Sequence, residues 1–347
     1  MVYLLLRELL LFSDVLRGDF DLWESGRGLR IGGGILFLAV LYGMFYFGYR
    51  TFYIEQESFE HQTYDYHFAL ISEELDNDYW RLVEEGAVRA ADALNVYLEY
   101  VGPPKADNEQ LLKWLDRMIA MKVDGIIVQG VQGDQFKDLV FKAVENGIPI
   151  VTIDTDVKNS LRHAYVGTNN YDAGKLAGET FIANSTGKQF VGIITGRFDA
   201  INQQERLLGF KDAIKSVARI QIVGEKESNI TQSGAAQATY ALLKEHSSIT
   251  ALVGMSALDG IGIVDGLNEF TPNKEVYVSA FDLLPGTIDL INQGEIDVTI
   301  AQYPVEMGYQ SVQVLTQLQN KESGNREIYT STGIITKDSR QTYDENH

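Results

Sequence analysis

The sequence predicts an α/β protein with two doubly wound parallel-sheet domains, preceded by one membrane-spanning helix. Three observations predict this class. From His67 onward, short apolar runs rich in β-branched residues alternate with longer amphipathic stretches. About ten such runs are too many for one sheet and favour two. Residues 31–49 carry no charge and are long enough to cross a bilayer.

Composition excludes several classes of protein and site. A chain of 347 residues that is 45% hydrophobic is long enough for two domains, each with its own core. It has no cysteine, which excludes disulfides, thiolate metal sites, cysteine catalysis and a lipidated N-terminal cysteine. The net charge of −19 disfavours binding to nucleic acid or to anionic lipid headgroups. Residues 1–50 hold five arginines and five acids, so the excess of acid lies entirely in the body.

The uncharged segment 31–49 is best explained as an uncleaved membrane anchor. Arg30 and Arg50 flank it, and tyrosines cluster toward its C-terminal end, as aromatic residues do at membrane interfaces. A cleaved signal peptide and a buried core helix are the alternatives. No cleavage site of small residues follows the segment, and it is apolar on every face, which disfavours both.

Charges on either side of this segment predict its orientation. Arg17, Arg27 and Arg30 precede it and only Arg50 closely follows it, so residues 1–30 are expected to be a cytoplasmic N-terminal segment. Residues 50–66 mix aromatic and acidic residues without a clear period and are expected to form a linker. The body is then expected outside the cell membrane, on the extracytoplasmic side.

The body has an ordered alternation of predicted strands and helices. The strands are expected at 68–72, 96–101, 125–129, 148–154, 163–167, 190–195, 220–225, 250–255, 276–282 and 298–302. The helices are expected near 79–94, 108–121, 134–146, 170–185, 201–217, 232–246, 257–268, 285–293 and 304–320. Nearly continuous apolar strands separated by helices are typical of parallel sheets that are covered on both faces.

Polar and aromatic residues follow the carboxyl ends of most predicted strands, where open parallel sheets bind their ligands. Carboxylates and amides pair with vicinal hydroxyls, and aromatic rings such as Tyr79 and Trp80 stack on a sugar ring. Any single polar residue at a strand end is also often a helix cap or a turn former. The pattern therefore predicts a polar ligand in a cleft, and a sugar suits the residue types.

The sequence contains no motif for a cofactor, a metal or a nucleophile. No phosphate-binding loop, dinucleotide fingerprint or nucleophile elbow is present, and the five histidines have no metal-ligand spacing. Asp154 and Asp282 resemble a glycosidase pair only in being carboxylates. We therefore expect a binding protein without cofactor or metal, and not an enzyme.

The body also resembles a known family, the ribose-binding-type periplasmic sugar-binding proteins, which share their type I fold with lactose-repressor-type regulators. The stretches that carry the resemblance are ALISEELDNDYWRLVEEGA (69–87), DGIIVQG (124–130), NGIPIVTIDT (146–155), YVGTNNYDAGKLAGE (165–179), QQERLLGFKDAI (203–214), AFDLLPGTIDLINQGEIDVTIAQYPVEMG (280–308) and TGIITKDS (332–339). They follow one another in order over nearly the whole body.

The resemblance implies two lobes joined by a three-stranded hinge near 168, 302 and 328. The N-terminal lobe would comprise 67–168 plus 303–328, and the C-terminal lobe 169–302 plus 329–340. The implied ligand-binding residues are Glu73, Asn77, Tyr79, Trp80, Gln129, Asp154, Gln204, Ser256, Phe281, Asp282 and Gln302.

Four positions depart from the family pattern. Gln204 and Thr155 stand where ribose binders often carry arginine, and Ser256 stands where they carry asparagine. Ile230 replaces a second aromatic wall. The resemblance therefore implies a monosaccharide-type ligand, which could be another pentose, a hexose or a sugar-like signal rather than ribose.

The anchor suggests how such a protein would be used. A fixed position at the membrane suits a sensor that presents its ligand-closed shape to a membrane histidine kinase. The alternative is an anchored substrate-binding subunit that feeds the permease of a sugar ABC transporter. A transcription regulator fits poorly, since no helix-turn-helix precedes the body and the charge has the wrong sign for DNA.

Overall fold

The computed structural model describes residues 27–52, 63–272, 275–320 and 326–338. Those up to residue 63 belong to one unit and those from residue 64 to another. In the first unit, α1 (Arg27–Phe52) contains a stretch, Gly32–Tyr49, that is long and apolar enough to cross a membrane. Most of its side chains from residue 32 to 49 are exposed. The expected cytoplasmic segment before Arg27, and residues 53–62 of the expected linker, lie outside the described residues.

The first sheet of the second unit contains six strands. They are β1 (Tyr66–Ile71), β2 (Val96–Val101), β3 (Gly125–Gln129), β4 (Ile150–Ile153), β5 (Ala164–Gly167) and β11 (Arg326–Tyr329). Their order is β11-β5-β4-β3-β1-β2, and all pairs are parallel. The strand order reverses direction beside β1, which places a ligand-binding crevice at the carboxyl ends of the central strands.

The second sheet repeats this arrangement. Its strands are β6 (Gln189–Thr195), β7 (Ile220–Glu227), β8 (Ala251–Gly254), β9 (Tyr277–Phe281), β10 (Val298–Ala301) and β12 (Gly333–Ile335). Their order is β12-β10-β9-β8-β6-β7, and only β12 is antiparallel to its neighbour. The core strands β8 and β10 are buried throughout, as expected for sheets covered on both faces.

Helices cover both faces of each sheet. They are α2 (Asp78–Ala93), α3 (Asn108–Met121), α4 (Asp134–Glu145), α5 (Asn170–Asn184), α6 (Ile201–Ile214), α7 (Gln232–Glu245), α8 (Asp259–Phe270), α9 (Pro285–Gln293) and α10 (Pro304–Gln319). Helices α2 and α10 bury apolar residues against one face of the first sheet, and α3 and α4 against the other. The second sheet is covered by α5 and α6 on one face and by α7 and α8 on the other.

Within the described residues, the chain passes from one sheet to the other three times, after Gly167, after Ala301 and after Tyr329. The predicted fold class is confirmed: two doubly wound lobes joined by a three-stranded hinge, with one apolar helix before them in the sequence. The lobe boundaries stay a prediction. All ten predicted strands form, but β11 and β12 were missed, because edge strands of three or four residues carry too little apolar pattern to be recognised.

Two pairs of helices approach each other unusually closely through glycine. A Cβ on Gly86 of α2 would lie 1.8 Å from the carbonyl oxygen of Val305, and one on Gly308 of α10 would lie 1.9 Å from that of Val83. Gly174 of α5 makes the equivalent approach to the carbonyl of Arg206 in α6, at 1.9 Å. These contacts leave no room for any side chain, so glycine determines how tightly the helices pack.

Candidate functional site

A cleft between the lobes forms at the carboxyl ends of both sheets. It contains a small cavity of about 50 Å³. Its lining comes from both lobes and comprises Glu73, Asn77, Tyr79, Trp80, Asp154, Ala200, Asn202, Gln203, Arg206, Ile230, Ser256, Ala257, Asp282 and Gln302.

The first turn of α2 places two aromatic rings at this cavity. Asn77 caps the helix, with its side-chain oxygen accepting the N–H of Tyr79 at 2.9 Å. Tyr79 and Trp80 follow at once, and their rings meet edge to face at 5.9 Å and 88°. The Tyr79 hydroxyl donates to Asp154 at 2.8 Å. Burial, reinforced by the charges of Asp154 and Asp282, raises the pKa of Tyr79, so the hydroxyl keeps its proton.

Asp154 ends β4 in a tight turn that directs its carboxylate into the cleft. Its φ of 62° is in the left-handed region, and the N–H of Thr155 donates to the carbonyl of Ile153 at 2.6 Å across it. A three-residue turn with positive φ at its centre is rare and strained. Aspartate, the residue at position 154, is one of the few residue types that tolerate a positive φ. The turn is supported by the N–H of Asp154, which donates to the carbonyl of Val166 on β5.

Asp282 occupies the matching position in the other lobe. It follows β9, its φ is 67°, and its N–H donates to the carbonyl of Ile300 on the neighbouring strand β10 at 2.9 Å. Burial raises the pKa of Asp282 to about 6, although Arg206 and Gln302 pull it down, and the charge of Asp154 adds to the rise. Each lobe therefore contributes one aspartate to the cavity by the same backbone device.

Arg206 organises the floor of the second lobe. It is 2% exposed, and it donates to the side chain of Asn170 at 2.8 Å, to the carbonyl of Met255 at 2.9 Å and to the Gln302 Oε1 at 2.9 Å. Gln302 in turn donates to Asp282 at 2.6 Å. This chain of hydrogen bonds fixes the orientation of the Asp282 carboxylate.

Phe281 lies beneath this arginine rather than in the cavity. The guanidinium carbon of Arg206 is 4.9 Å from the centroid of the Phe281 ring, and the ring is fully buried. The stacking adds to the hydrogen bonds that hold Arg206 in place.

Glu73 follows β1 and faces the other lobe. Its side chain is 14% exposed, and its Oε1 lies 3.8 Å from the Nη1 of Arg197 in the loop after β6. Burial and the nearby charges of Asp154 and Glu74 raise the pKa of Glu73 to about 7, against the opposing effects of Arg197 and Gln129. Glu73 can thus change its protonation state near neutral pH.

Ser256 and Asp259 form a buried polar pair behind the cavity. The Asp259 Oδ2 accepts the N–H of Ser256 at 2.8 Å and that of Met255 at 3.1 Å. Ser256 lines the cavity, and its buried hydroxyl lies beside the Asp259 carboxyl, whose pKa it lowers.

Asp259 makes the stability of the body depend on pH. Burial raises the pKa of Asp259 from its ordinary value of 3.8 to about 6, so the folded body is favoured when this carboxyl is protonated. This stabilisation, about 2–3 kcal/mol, is fully present below pH 3.8 and is lost as the pH rises through about 6. An Asp259→Asn variant keeps an oxygen for both N–H groups and should lack this loss. Urea unfolding from pH 4 to 7 measures the difference, with the exposed Asp289→Asn as control; parallel curves for wild type and Asp259→Asn would contradict it.

Of the residues proposed from sequence, the structure brings eight together in the cavity lining: Glu73, Asn77, Tyr79, Trp80, Asp154, Ser256, Asp282 and Gln302. Gln129 lines a smaller adjoining cavity with Glu73 and donates to Asp154 at 3.4 Å. Gln204 does not line the cavity, and its amide donates to the carbonyl of Phe198 at 2.7 Å. One residue is about 100° of helix rotation, so Gln203 and Gln204 on α6 point in different directions.

Three residues from the start of α6, Asn202, Gln203 and Arg206, line the cavity but are not among the ligand-binding residues proposed from sequence. Asn202 and Arg206 are four residues apart and therefore share one helix face. That spacing was the available signal, but it does not reveal which face of the helix meets the cleft.

Comparisons with known proteins agree with this architecture. Residues 68–323 match the family model described as the periplasmic binding protein domain. The chain is 44% identical to a glucose-galactose binding protein, GanP, from Geobacillus stearothermophilus, whose crystal structure superposes with a TM-score of 0.76, covering 79% of this chain and 98% of that one. A complex called XylFII-LytSN contains a chain with 34% identity and a TM-score of 0.75, covering 78% and 98% respectively.

Curated relatives fall in the same group. A D-ribose/D-allose-binding protein from Pseudomonas aeruginosa is 24% identical over 260 residues, which is 72% of this chain and 81% of that protein. The match to the family model and the 44% identity to a solved member both span the two lobes. The chain belongs to the periplasmic binding protein family with the ribose/sugar-binding type I fold, whose members bind their ligands and are not enzymes.

Proposed function

We propose that the body binds a monosaccharide in the cleft and closes on it without altering it. The observation that carries this proposal is the matched pair of Asp154 and Asp282, held by opposite lobes in one cavity beside Tyr79 and Trp80. Carboxylates bind vicinal hydroxyls, and aromatic faces stack on sugar rings. The sugar binders among its relatives, such as the glucose-galactose binding protein, support the same ligand class.

Closure follows from how the two lobes share the ligand. The lobes already touch across the cleft, where Asn202 of α6 donates to Asp154 at 2.9 Å. A ligand shifts an open–closed equilibrium only by its difference in affinity for the two states. Groups from both lobes can contact one sugar ring together only in the closed state, so the sugar favours closure.

Thermal denaturation of the detergent-solubilised full chain with pentoses and hexoses tests the proposal. We expect the melting temperature of the body to rise with at least one neutral monosaccharide, since a ligand that binds only the folded state stabilises it. No shift with any pentose or hexose would overturn the proposal.

An Asp282→Ala variant should lose about 1–3 kcal/mol of sugar-binding free energy, or about five- to 150-fold in affinity. The substitution removes the acceptor of Gln302 and leaves sugar hydroxyls without a partner in a buried site. Isothermal titration calorimetry measures the loss, and Asp289→Ala, an exposed acid in the same lobe, is the control. Unchanged affinity in Asp282→Ala would remove this residue from the site.

For location, we propose that α1 is an uncleaved anchor and that the body is extracytoplasmic. The uncharged stretch in α1 and the family of the body support this arrangement. Mass spectrometry of protein purified from membranes should find residues 27–52 retained. Protease added to intact cells should remove the body, and protection of the body would contradict the orientation.

We propose that this protein has a membrane histidine kinase sensor as its partner. The similar chain in the XylFII-LytSN complex and the anchoring helix support it. The alternative, a sugar ABC permease, is favoured by relatives such as the ribose import binding protein of Escherichia coli. Cross-linking in membranes followed by mass spectrometry separates the two. Capture of a permease with its ATPase, and no kinase, would decide for the transporter.

A further inference from the structure

The three carboxyl groups that line the cavity differ in how well the protein satisfies them. Asp154 is the best satisfied, because it accepts hydrogen bonds from Tyr79, Gln129, Thr155 and Asn202. Asp282 accepts one, from Gln302, among the bonds of the described residues. Glu73 interacts with the side chain of Gln129, and the one cation near it among the described residues is Arg197, at 3.8 Å, which is beyond hydrogen-bond distance.

The two arginines near these acids are already engaged. Arg197 donates through Nε and Nη2 to Asp199, at 2.8 and 2.9 Å. The positive charge of Arg197 is therefore shared, and it stabilises the Glu73 carboxylate only weakly. Arg206 uses Nε, Nη1 and Nη2 on protein acceptors of the second lobe. The carboxyl groups at the cavity therefore carry more negative charge than the two arginines neutralise. The carboxyl group that is least compensated is that of Glu73.

A buried carboxylate needs a counter-charge or a proton. A neutral sugar brings neither, so closing over it leaves Glu73 to take up a proton. An ammonium group on the sugar would supply the missing charge directly. A carboxylate or phosphate on the sugar would add repulsion from Glu73 and Asp282.

Building on the proposed sugar-binding function, we propose that Glu73 is a specificity-determining residue that selects sugars by charge. It favours monosaccharides with a primary ammonium group over the neutral sugars of the same stereochemistry, and it excludes sugar acids. The ligand class assigned to this cleft is thus the amino sugars.

The same geometry predicts a difference in pH dependence. The charged groups facing Glu73 are Asp154 from β4, Arg197 with Asp199 from the loop after β6, and Glu74 beside it. When the lobes open, water reaches Glu73 and its pKa returns toward 4.5, whereas closure raises the pKa to about 7. Affinity for a neutral sugar should therefore fall as the pH rises from about 5 to about 7, by up to about tenfold per unit. Affinity for an amino sugar should stay nearly constant.

Calorimetry on the detergent-solubilised full chain tests the proposal. The probes are D-glucose and D-galactose, their 2-amino and 6-amino derivatives, and D-galacturonic acid. At pH 6.5 we expect at least one amino sugar to bind about tenfold or more tightly than its neutral parent, with galacturonic acid not binding. Glu73→Gln should bring that ratio close to one. Asp76→Asn removes an exposed acid of the same loop and should leave the ratio unchanged.

The outcomes separate this proposal from the one on which it rests. If neutral sugars bind and no amino derivative is preferred, selection by Glu73 is wrong and sugar binding stands. If the preference survives in Glu73→Gln, another residue is responsible and the assignment is wrong. If neither neutral nor amino sugars bind, both proposals fail. The wild-type comparison alone decides the ligand class if Glu73→Gln does not fold.

Discussion

An Arg206→Met variant should lose about 3 kcal/mol or more of the free energy of unfolding of the body. Methionine preserves much of the side-chain volume and its packing on Phe281, so the loss reports the missing hydrogen bonds and charge. Truncation leaves Asn170, the carbonyl of Met255 and Gln302 without their donor in a region closed to water. Each unsatisfied buried group costs about 1–3 kcal/mol.

Loss of Arg206 should also change the cavity. Without its positive charge, the pKa of Asp282 should rise further, because Arg206 is the largest influence that lowers it. Gln302 would lose the contact that orients it toward Asp282. We therefore expect weaker sugar binding together with lower stability.

Urea unfolding followed by circular dichroism measures the stability change, and Arg219→Met is the matched control. Arg219 also donates three hydrogen bonds, to the hydroxyl of Ser185 and to the carbonyls of Gly187 and Ile182, but it is only partly buried. Water can replace its bonds, so the control should lose about 1 kcal/mol. Equal losses of unfolding free energy in the two variants would show that burial does not make the hydrogen bonds of Arg206 more stabilising than those of Arg219.

A Gly308→Ala variant should be destabilised by about 3 kcal/mol or more, or should fail to accumulate as folded protein. The new methyl group would lie 1.9 Å from the carbonyl oxygen of Val83 and 2.9 Å from the N–H nitrogen of Ala87 on α2. Both are backbone atoms, which cannot rotate away, so the two helices would have to separate and lose packed apolar area.

The sign of this effect is informative. In an exposed helix, alanine is favoured over glycine by about 1 kcal/mol, so without the contact the change would stabilise α10. Glu85→Ala, at an exposed position of α2, is the control and should change stability by less than about 0.5 kcal/mol. A Gly308→Ala variant with unchanged or higher stability would contradict the close approach of α2 and α10.

Local patterns were sufficient to predict the order of the elements. Apolar runs such as β3 and β4 are buried on both faces, and their composition identifies them as central parallel strands without knowledge of their partners. The polar residues at their carboxyl ends could be located for the same reason, because the end of a strand is a position in the sequence. Asp154, Asp282 and Tyr79 were selected in this way, and the structure places them in one cavity.

Contacts between distant segments could not be predicted. Arg206 is buried because Asn170, Met255 and Gln302 converge on it from three separate parts of the chain. The direction of the first turn of α6, which turns Asn202 and Gln203 toward the cleft and Gln204 away, depends on how that helix packs on its sheet.

Residue pattern alone thus determined that this protein has two sheet-based lobes, an apolar helix that precedes them in the sequence and polar groups at their facing edges. These properties follow from the hydrophobic period and the residue types at strand ends, which act over a few neighbours. Only the folded arrangement decided which carboxyl groups are well satisfied, like that of Asp154, and which are only weakly compensated, like that of Glu73. Hydrogen-bond saturation and burial depend on atoms brought together from both lobes, and no local stretch of sequence contains that information.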